Sequence, residues 1–515
     1  MSKFNSPRVA KIEATNHAGG DIELFDDPRF KFYMAIGSNL LEDQYYRSVN
    51  ETISEIRGYI RTVTPEFTAK LAVYARTEMN LRTIPLVIMV ELARMTSGNS
   101  VVSKGLTGVI TRADQLSEAL AYYQVSCAQT ELGKVPKQIL KGIRDAFGKF
   151  DEYQLSKYQA KNKNITLRDA MFLSHPRPRG ANRIILYNKI AHNELKAPVT
   201  WETTQSMLGE ITKDKTKDVK EAAVTVAWEQ LIDEMKMGYM AMLRNLRNFL
   251  DDGISSVHVD KVCAFIINRR AISNSKQFPW RFYVAAREIE KGELSWNTDD
   301  SQKIYNAIVN ACIYSLCNMS MFPENERILS VADISGSMQQ KVSKMGTVSA
   351  MELSRFYGRM LYHSNRFNRY IEFATNLNHN ASTNPFDRDI AKQPQGYGYG
   401  TDAHKIMEYA CHMEEKYDSI VIFTDNQFWK SKNSGMLAPY SISVQFNTLV
   451  DMYRKDVNPD MKLYLVDLVG YSNGAPVVLS DKNFVVSGFT SDTFKTINNI
   501  VNSGDVLDLI EGIEL

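Results

Sequence analysis

Cysteine is scarce and scattered in this chain. Its five cysteines, Cys127, Cys263, Cys312, Cys317 and Cys411, form no CxxC pair. An odd, dispersed set supports neither a zinc knuckle nor a disulfide framework. No uncharged apolar run is long enough to span a bilayer. The opening stretch MSKFNSPRVAKIEATN lacks the apolar core of a signal peptide, so the expected setting is a reducing cytoplasm. There is no Walker phosphate loop, no Cys-His or Ser-His-Asp arrangement at recognisable spacing and no zinc signature. No catalytic residue is expected, and the chain reads as a non-enzyme. A large charge of one sign is missing too. The net charge is +2, so any case for a nucleic acid must rest on local clustering. Strand signals, finally, are nearly absent before about residue 325.

What is present is a chain of 515 residues, 44% hydrophobic and 23% charged, which is the balance of a soluble globular protein with room for more than one domain. Residues 1–25 read as an arm with little periodicity. From Phe30 apolar residues recur at helical spacing, and 65–95 reads as a helical hairpin with Pro85 opening its second helix. Similar pairs are expected around 113–147, 150–175, 180–210 and 218–250. Stacked antiparallel helix pairs are the simplest arrangement, because no pair covers its own apolar face. After a polar connector at 321–327 the pattern changes. ERILSVAD, NRYIEFAT, SIVIFTD, KLYLVDLV and NFVVSGF are strand-like runs with helical segments between several of them. That alternation predicts a largely parallel, doubly wound α/β sheet of Rossmann-like type. The expected domains are 1–322, all-α helical repeats, and 323–515, α/β.

Within ILSVADISGSM, residues 328–338, an apolar strand runs into Asp333, Ser335 and Ser337. Alternate hard oxygen donors at a strand end make a cup suited to Mg²⁺ or another small divalent cation. The plainer reading is a Ser/Gly turn that caps a helix. Thr401 after GYGYG, and Asp425 at the end of SIVIFTD, lie at further expected strand ends. A parallel sheet brings such ends to one edge, so Asp333, Ser335, Ser337, Thr401 and Asp425 are the expected metal set. The pattern resembles the metal-ion-dependent adhesion site of von Willebrand factor A domains. That resemblance implies direct metal contacts from the two serines and the threonine, with the aspartates holding waters. The long polar stretch 375–400, with Tyr397 and Tyr399, is open between a partner contact and a loop packed on the sheet.

Charge is concentrated between 134 and 189, where thirteen basic residues meet only four acidic ones. Lys137, Lys141 and Arg144 are spaced for one helical face. Crowded lysines repel one another unless something anionic lies opposite, and a phosphate backbone is the usual answer. In FLSHPRPRG, Pro176 and Pro178 stop a helix and leave His175, Arg177 and Arg179 on a stiff loop. Such side chains contact phosphates or stack on unpaired bases. A solvated helix face followed by a terminating loop is the competing explanation.

Several stretches together resemble the Ro autoantigen family of RNA-binding proteins, built from a TROVE module and a von Willebrand A domain. They are KFYMAIGSNLLEDQYY (31–46), KYQAKNKNITLRDAMFLSHPRPR (157–179), MGYMAMLRNLRNF (237–249), QFPWRFYVAAREI (277–289), VADISGSM, GTDAH, IFTDNQ and SGFTSDTFKTINNI. The resemblance implies HEAT-like helical repeats closed into a ring whose ends the A domain joins. It implies a basic hole for single-stranded ends of misfolded noncoding RNA, and an outer surface for small structured Y-like RNAs. By motif, Lys157, Lys161 and His175 match the outer-surface contacts, while Lys137, Lys141 and Arg144 fall in the basic region near the hole. Arg244 and Asn245 match the family signature, whereas Met237-Gly238 replaces its Met-Pro and Arg247 stands where the family often has Gly. The implied partners are a small noncoding RNA and, through the A-domain metal, an exoribonuclease or another protein. No membrane role and a monomer are expected. The rival function is a protein-interaction scaffold that uses the metal site and has no RNA role.

Overall fold

The computed structural model describes residues 13–15, 21–24, 27–37, 49–79, 81–98, 100–127, 134–158, 164–196, 201–214, 216–235, 237–277, 279–292, 298–318, 322, 325–341, 348–364, 366–413, 415–428, 446–469, 474–477, 480, 482–487 and 506–515. The chain forms two compact units, one of Met1–Ile84 with Met321–Glu514, the other of Pro85–Ser320.

The first unit is α/β. Its strands are β1 (Glu13–Thr15), β2 (Asp21–Leu24), β3 (Ile328–Asp333), β4 (Arg369–Phe373), β5 (Leu377–Asn378), β6 (Ser419–Thr424), β7 (Lys462–Asp467), β8 (Gly474–Ala475) and β9 (Asn483–Ser487). The main sheet runs β5-β4-β3-β6-β7-β9 and is parallel except for β5. β3 and β6 are buried throughout, as continuous apolar runs at the centre of a parallel sheet should be. The helix Ala350–Ser364 packs on β3, β4 and β6, and the helices His404–Met413 and Phe446–Asp456 pack on each other. This is the doubly wound sheet that the alternating pattern predicts.

The expected N-terminal arm is corrected in part. Its described residues form β1 and β2, which pair with β8 as a small antiparallel sheet. Strands of three and four residues are too short to show an alternation, and β8, which pairs with β2, is some 450 residues away. The helix Pro28–Gly37 packs on β9, and the helix Pro65–Thr77 packs on Val506–Glu511. These contacts gather the first 84 residues with the sheet. The division at Ile84 falls inside the 65–95 stretch read as one hairpin.

The stretch 375–400 adds β5 to the edge of the sheet and packs on the helix Ala350–Ser364. Arg355 Nη1 donates to the carbonyls of Asp389, Ile390 and Lys392 at 3.0, 2.8 and 2.9 Å, and Arg359 Nη1 donates to that of Asn384 at 2.7 Å. Phe386 meets Phe356 edge to face, and Ile390 is fully buried.

In the second unit the described elements are helical, with no strand among the described residues. Helices stand at Gln115–Ser126, Lys137–Phe147, Glu152–Lys157, Leu167–Ser174, Ala181–Ala191, Trp201–Ile211, Lys217–Asp233 and Tyr239–Asp251, close to the expected pairs. Their packing skips neighbours. Lys137–Phe147 lies chiefly on Val101–Val109, and Leu167–Ser174 lies on Lys137–Phe147, Gln115–Ser126 and Ala181–Ala191. Periodicity tells which face is buried and not which helix covers it.

Candidate functional site

The basic residues of the second unit separate into tied and free groups. Lys149 donates to the carbonyls of Thr107 and Ile110, and burial pulls its ammonium below the ordinary range. Lys189 pairs with Glu152 at 2.7 Å. These two hold helices together. Lys137, Lys141, Arg177 and Arg179 have no hydrogen bond or ion pair with any described residue, and all four are solvent-facing. The buried face opposite Lys137 and Lys141 consists of Ile139, Gly142, Ile143, Ala146 and Phe147, so the helix is amphipathic in the expected sense. Lys157 ends its helix, exposed, with Nζ 5.9 Å from the Tyr158 ring centroid. Lys161 lies outside the described residues.

His175 is the C-cap of the helix Leu167–Ser174. Its backbone is left-handed (φ 49°, ψ 61°) and its N–H donates to the Met171 carbonyl at 2.9 Å. That cap turns the chain into the Pro176–Pro178 segment. Arg177 and Arg179 then reach a cavity of about 780 Å³ lined also by Arg144, Asp145, Gly148, Pro178, Arg183 and Tyr187. Arg144 Nε donates to Asp145 at 3.1 Å. Arg183 donates to the carbonyls of Phe150 and Gly148 and is thereby held in place. Three of the sequence candidates therefore converge, while Lys137, Lys141, Lys157 and His175 stay outside this cavity's lining. Arg183 and Tyr187 were not among the candidates. The available signal was the four-residue step from Arg179 to Arg183 across Gly180, where a helix begins.

The oxygen cup sits at the carboxyl edge of the main sheet in the first unit. Asp333 ends β3 fully buried. It accepts from the Ser335 N–H at 2.8 Å and from the Thr424 hydroxyl at 2.6 Å. The Ser335 and Ser337 hydroxyls are 3.3 Å apart. Asp425 follows β6, also fully buried, and accepts from the Gln427 N–H at 3.1 Å. Burial, and after it the charge of Asp425, holds the Asp333 carboxyl well above the usual carboxylate range. Thr401 is buried two residues past Tyr399, whose carbonyl accepts from the Gly336 N–H at 2.8 Å. All three loops thus reach one edge.

Among the described residues no three acids, histidines or cysteines form a cluster able to hold a metal. The cup has two carboxylates, and its other donors are hydroxyls. Two buried carboxyls with the Ser335 and Ser337 hydroxyls fit a small hard cation, which favours oxygen and keeps part of its water.

No helix among the described residues is long and apolar enough to cross a membrane. The family model for the TROVE domain matches residues 35–223 and 210–377, and the model for the Ro60 vWA domain matches residues 327–501. The chain is 24% identical over 328 residues to telomerase protein component 1 of Mus musculus, covering 50% of this chain and 12% of that protein. It is 23% identical over 281 residues to RNA-binding protein RO60 of Caenorhabditis elegans, covering 50% and 41%. The chain spans less than half the length of these curated relatives. The crystal structure of Deinococcus radiodurans RO (RSR) protein matches with a TM-score of 0.60 at 16% identity, over 91% of this chain and 99% of that one, a likeness of fold. Together, the two matched domains and their order make this chain a member of the Ro family.

Proposed function

We propose that the chain is a noncatalytic, RNA-binding component of a ribonucleoprotein. Its helical unit holds a small structured noncoding RNA, of Y-like kind, on the basic surface and takes single-stranded RNA ends on the same unit. The observation that carries this reading is the convergence of Arg144, Arg177, Arg179 and Arg183 on one cavity, two of them without a described partner. Arginine forks match phosphate oxygens in geometry as well as charge. One relative carries RNA binding in its name. Purification with and without nuclease tests the reading: a co-purifying small RNA is expected. Lys157→Ala with His175→Gly should weaken its binding at moderate salt. A protein that retains no RNA, and binds none added back, would leave the scaffold reading in its place.

A second part of the proposal concerns the A domain. Mg²⁺ or another divalent cation would be held directly by Ser335, Ser337 and Thr401, with Asp333 and Asp425 holding its waters. Such a cation supplies a fixed positive charge that a carboxylate of a protein partner, for instance an exoribonuclease, can complete. The buried Asp333 and Asp425 carboxyls near the Ser335 and Ser337 hydroxyls favour this reading, since a small hard cation takes oxygen donors of this kind. Calorimetric titration with Mg²⁺ should show binding that Ser335→Ala, Ser337→Ala abolishes. A partner that binds this variant equally well in excess chelator would refute the metal-dependent contact.

A further inference from the structure

We propose that the arginine cavity takes the terminal phosphate of an RNA end, a phosphate monoester, rather than an internal stretch of backbone. The inference rests on the RNA reading above and goes past it by naming the group bound. The cavity lies between the helices Lys137–Phe147 and Ala181–Ala191 and the loop joining Ser174 to Ala181. Its charged lining is four guanidinium groups and one carboxylate, and Arg144 engages that carboxylate. Arg183 is fixed by carbonyls on one side. Arg177 and Arg179 stand beside two prolines, so little backbone freedom is lost when they close on a ligand. The first turn of the helix Ala181–Ala191 carries no acidic residue, so its positive dipole end adds to the charge of Arg179 and Arg183.

An internal phosphodiester carries one charge and continues on both sides, which suits an open row of cations such as Lys137 and Lys141. A monoester carries close to two charges and three acceptor oxygens, and it ends a chain. A concave site of several forked cations with one carboxylate matches the second group.

The test uses the full chain and one single-stranded RNA oligonucleotide in three forms: both ends hydroxyl, 5′-monophosphate and 3′-phosphate. Fluorescence anisotropy should show one phosphorylated form binding about tenfold tighter than the hydroxyl form, and which one tells the end that is read. Arg177→Ala, Arg179→Ala should bring that ratio close to one. Lys137→Ala, Lys141→Ala should lower affinity for all forms and keep the ratio. If RNA binds but the three forms bind equally, or if the double variant keeps the ratio, the terminal-phosphate assignment is wrong while the RNA reading stands. If no form binds, both fall. A free nucleoside monophosphate that competes as strongly as the phosphorylated oligonucleotide would make the ligand a nucleotide and overturn the assignment to an RNA end.

Discussion

Glu372 is a single carboxylate in the apolar strand β4, and it is fully buried. It accepts from Arg355 Nε and Nη2 at 2.9 Å each, from Arg359 Nη2 at 3.0 Å, from the Tyr370 hydroxyl at 2.8 Å and from Asn378 at 3.2 Å. Burial raises this carboxyl, but the two guanidiniums and the phenol outweigh that and hold it below the ordinary range. A lowered folded pKa stabilises above the unfolded value, and that stability is lost as pH falls through the folded one. Glu372→Gln should therefore flatten the decline in stability below about pH 4.5, followed by urea melts across pH. Glu372→Ala strands two buried guanidiniums and should cost about 3–5 kcal/mol in the same melts. The cup differs, since there burial and the charge of Asp425 raise the Asp333 carboxyl instead of lowering it. Adding Mg²⁺ at about a hundred times its Kd should stabilise the protein by about 2.7 kcal/mol. Ser335→Ala, Ser337→Ala should show no such gain in a thermal melt. Asp333 and Asp425 were readable because each ends an apolar run, whereas Thr401 follows GYGYG and no strand directly. Glu372 was readable in principle as a lone acid inside β4, yet only coordinates reveal Arg355 and Arg359 across from it.

Among the elements, the helix Lys137–Phe147 depends on a close approach. A Cβ at Gly142 would sit 2.9 Å from Leu106 Cβ and 3.0 Å from the Ser103 carbonyl oxygen, so this face has no room for a side chain. Gly142→Ala should destabilise the helical unit by about 1–3 kcal/mol in denaturant melts. The helix Leu167–Ser174 ends on the left-handed His175, a conformation that glycine adopts without strain. His175→Gly should thus keep or raise the melting temperature while weakening RNA binding, separating the imidazole's contact from its capping role. Helix positions follow from apolar spacing, and the structure places them close to where that spacing does. Helix partners do not follow, because several apolar faces compete and only packing selects among them.

The molecule as a whole has a net charge of +2, yet thirteen basic residues meet four acidic ones between 134 and 189. RNA binding should therefore fall steeply with salt, and Lys137→Ala, Lys141→Ala should lower the slope of log affinity against log salt by roughly 1.4–1.8, two phosphate contacts being lost. The same scale explains the first 84 residues. Val506, Leu507 and Ile510 are buried, their helix packs on Pro65–Thr77, Arg29 pairs with Glu511, and Lys70 donates to the Glu511 carbonyl at 2.6 Å. A fragment of 323–515 should melt well below the full chain's α/β unit, read by circular dichroism, because these apolar faces lose their cover. The residue order alone determined the helical and α/β segments, the oxygen donors at strand ends and the basic run, since each is written in local period, turn chemistry and charge. Only the tertiary structure decided which arginines share a cavity, which helix covers which, and that the N-terminal helices join the sheet. Those outcomes depend on contacts between residues hundreds of positions apart, and no local pattern encodes such a pairing.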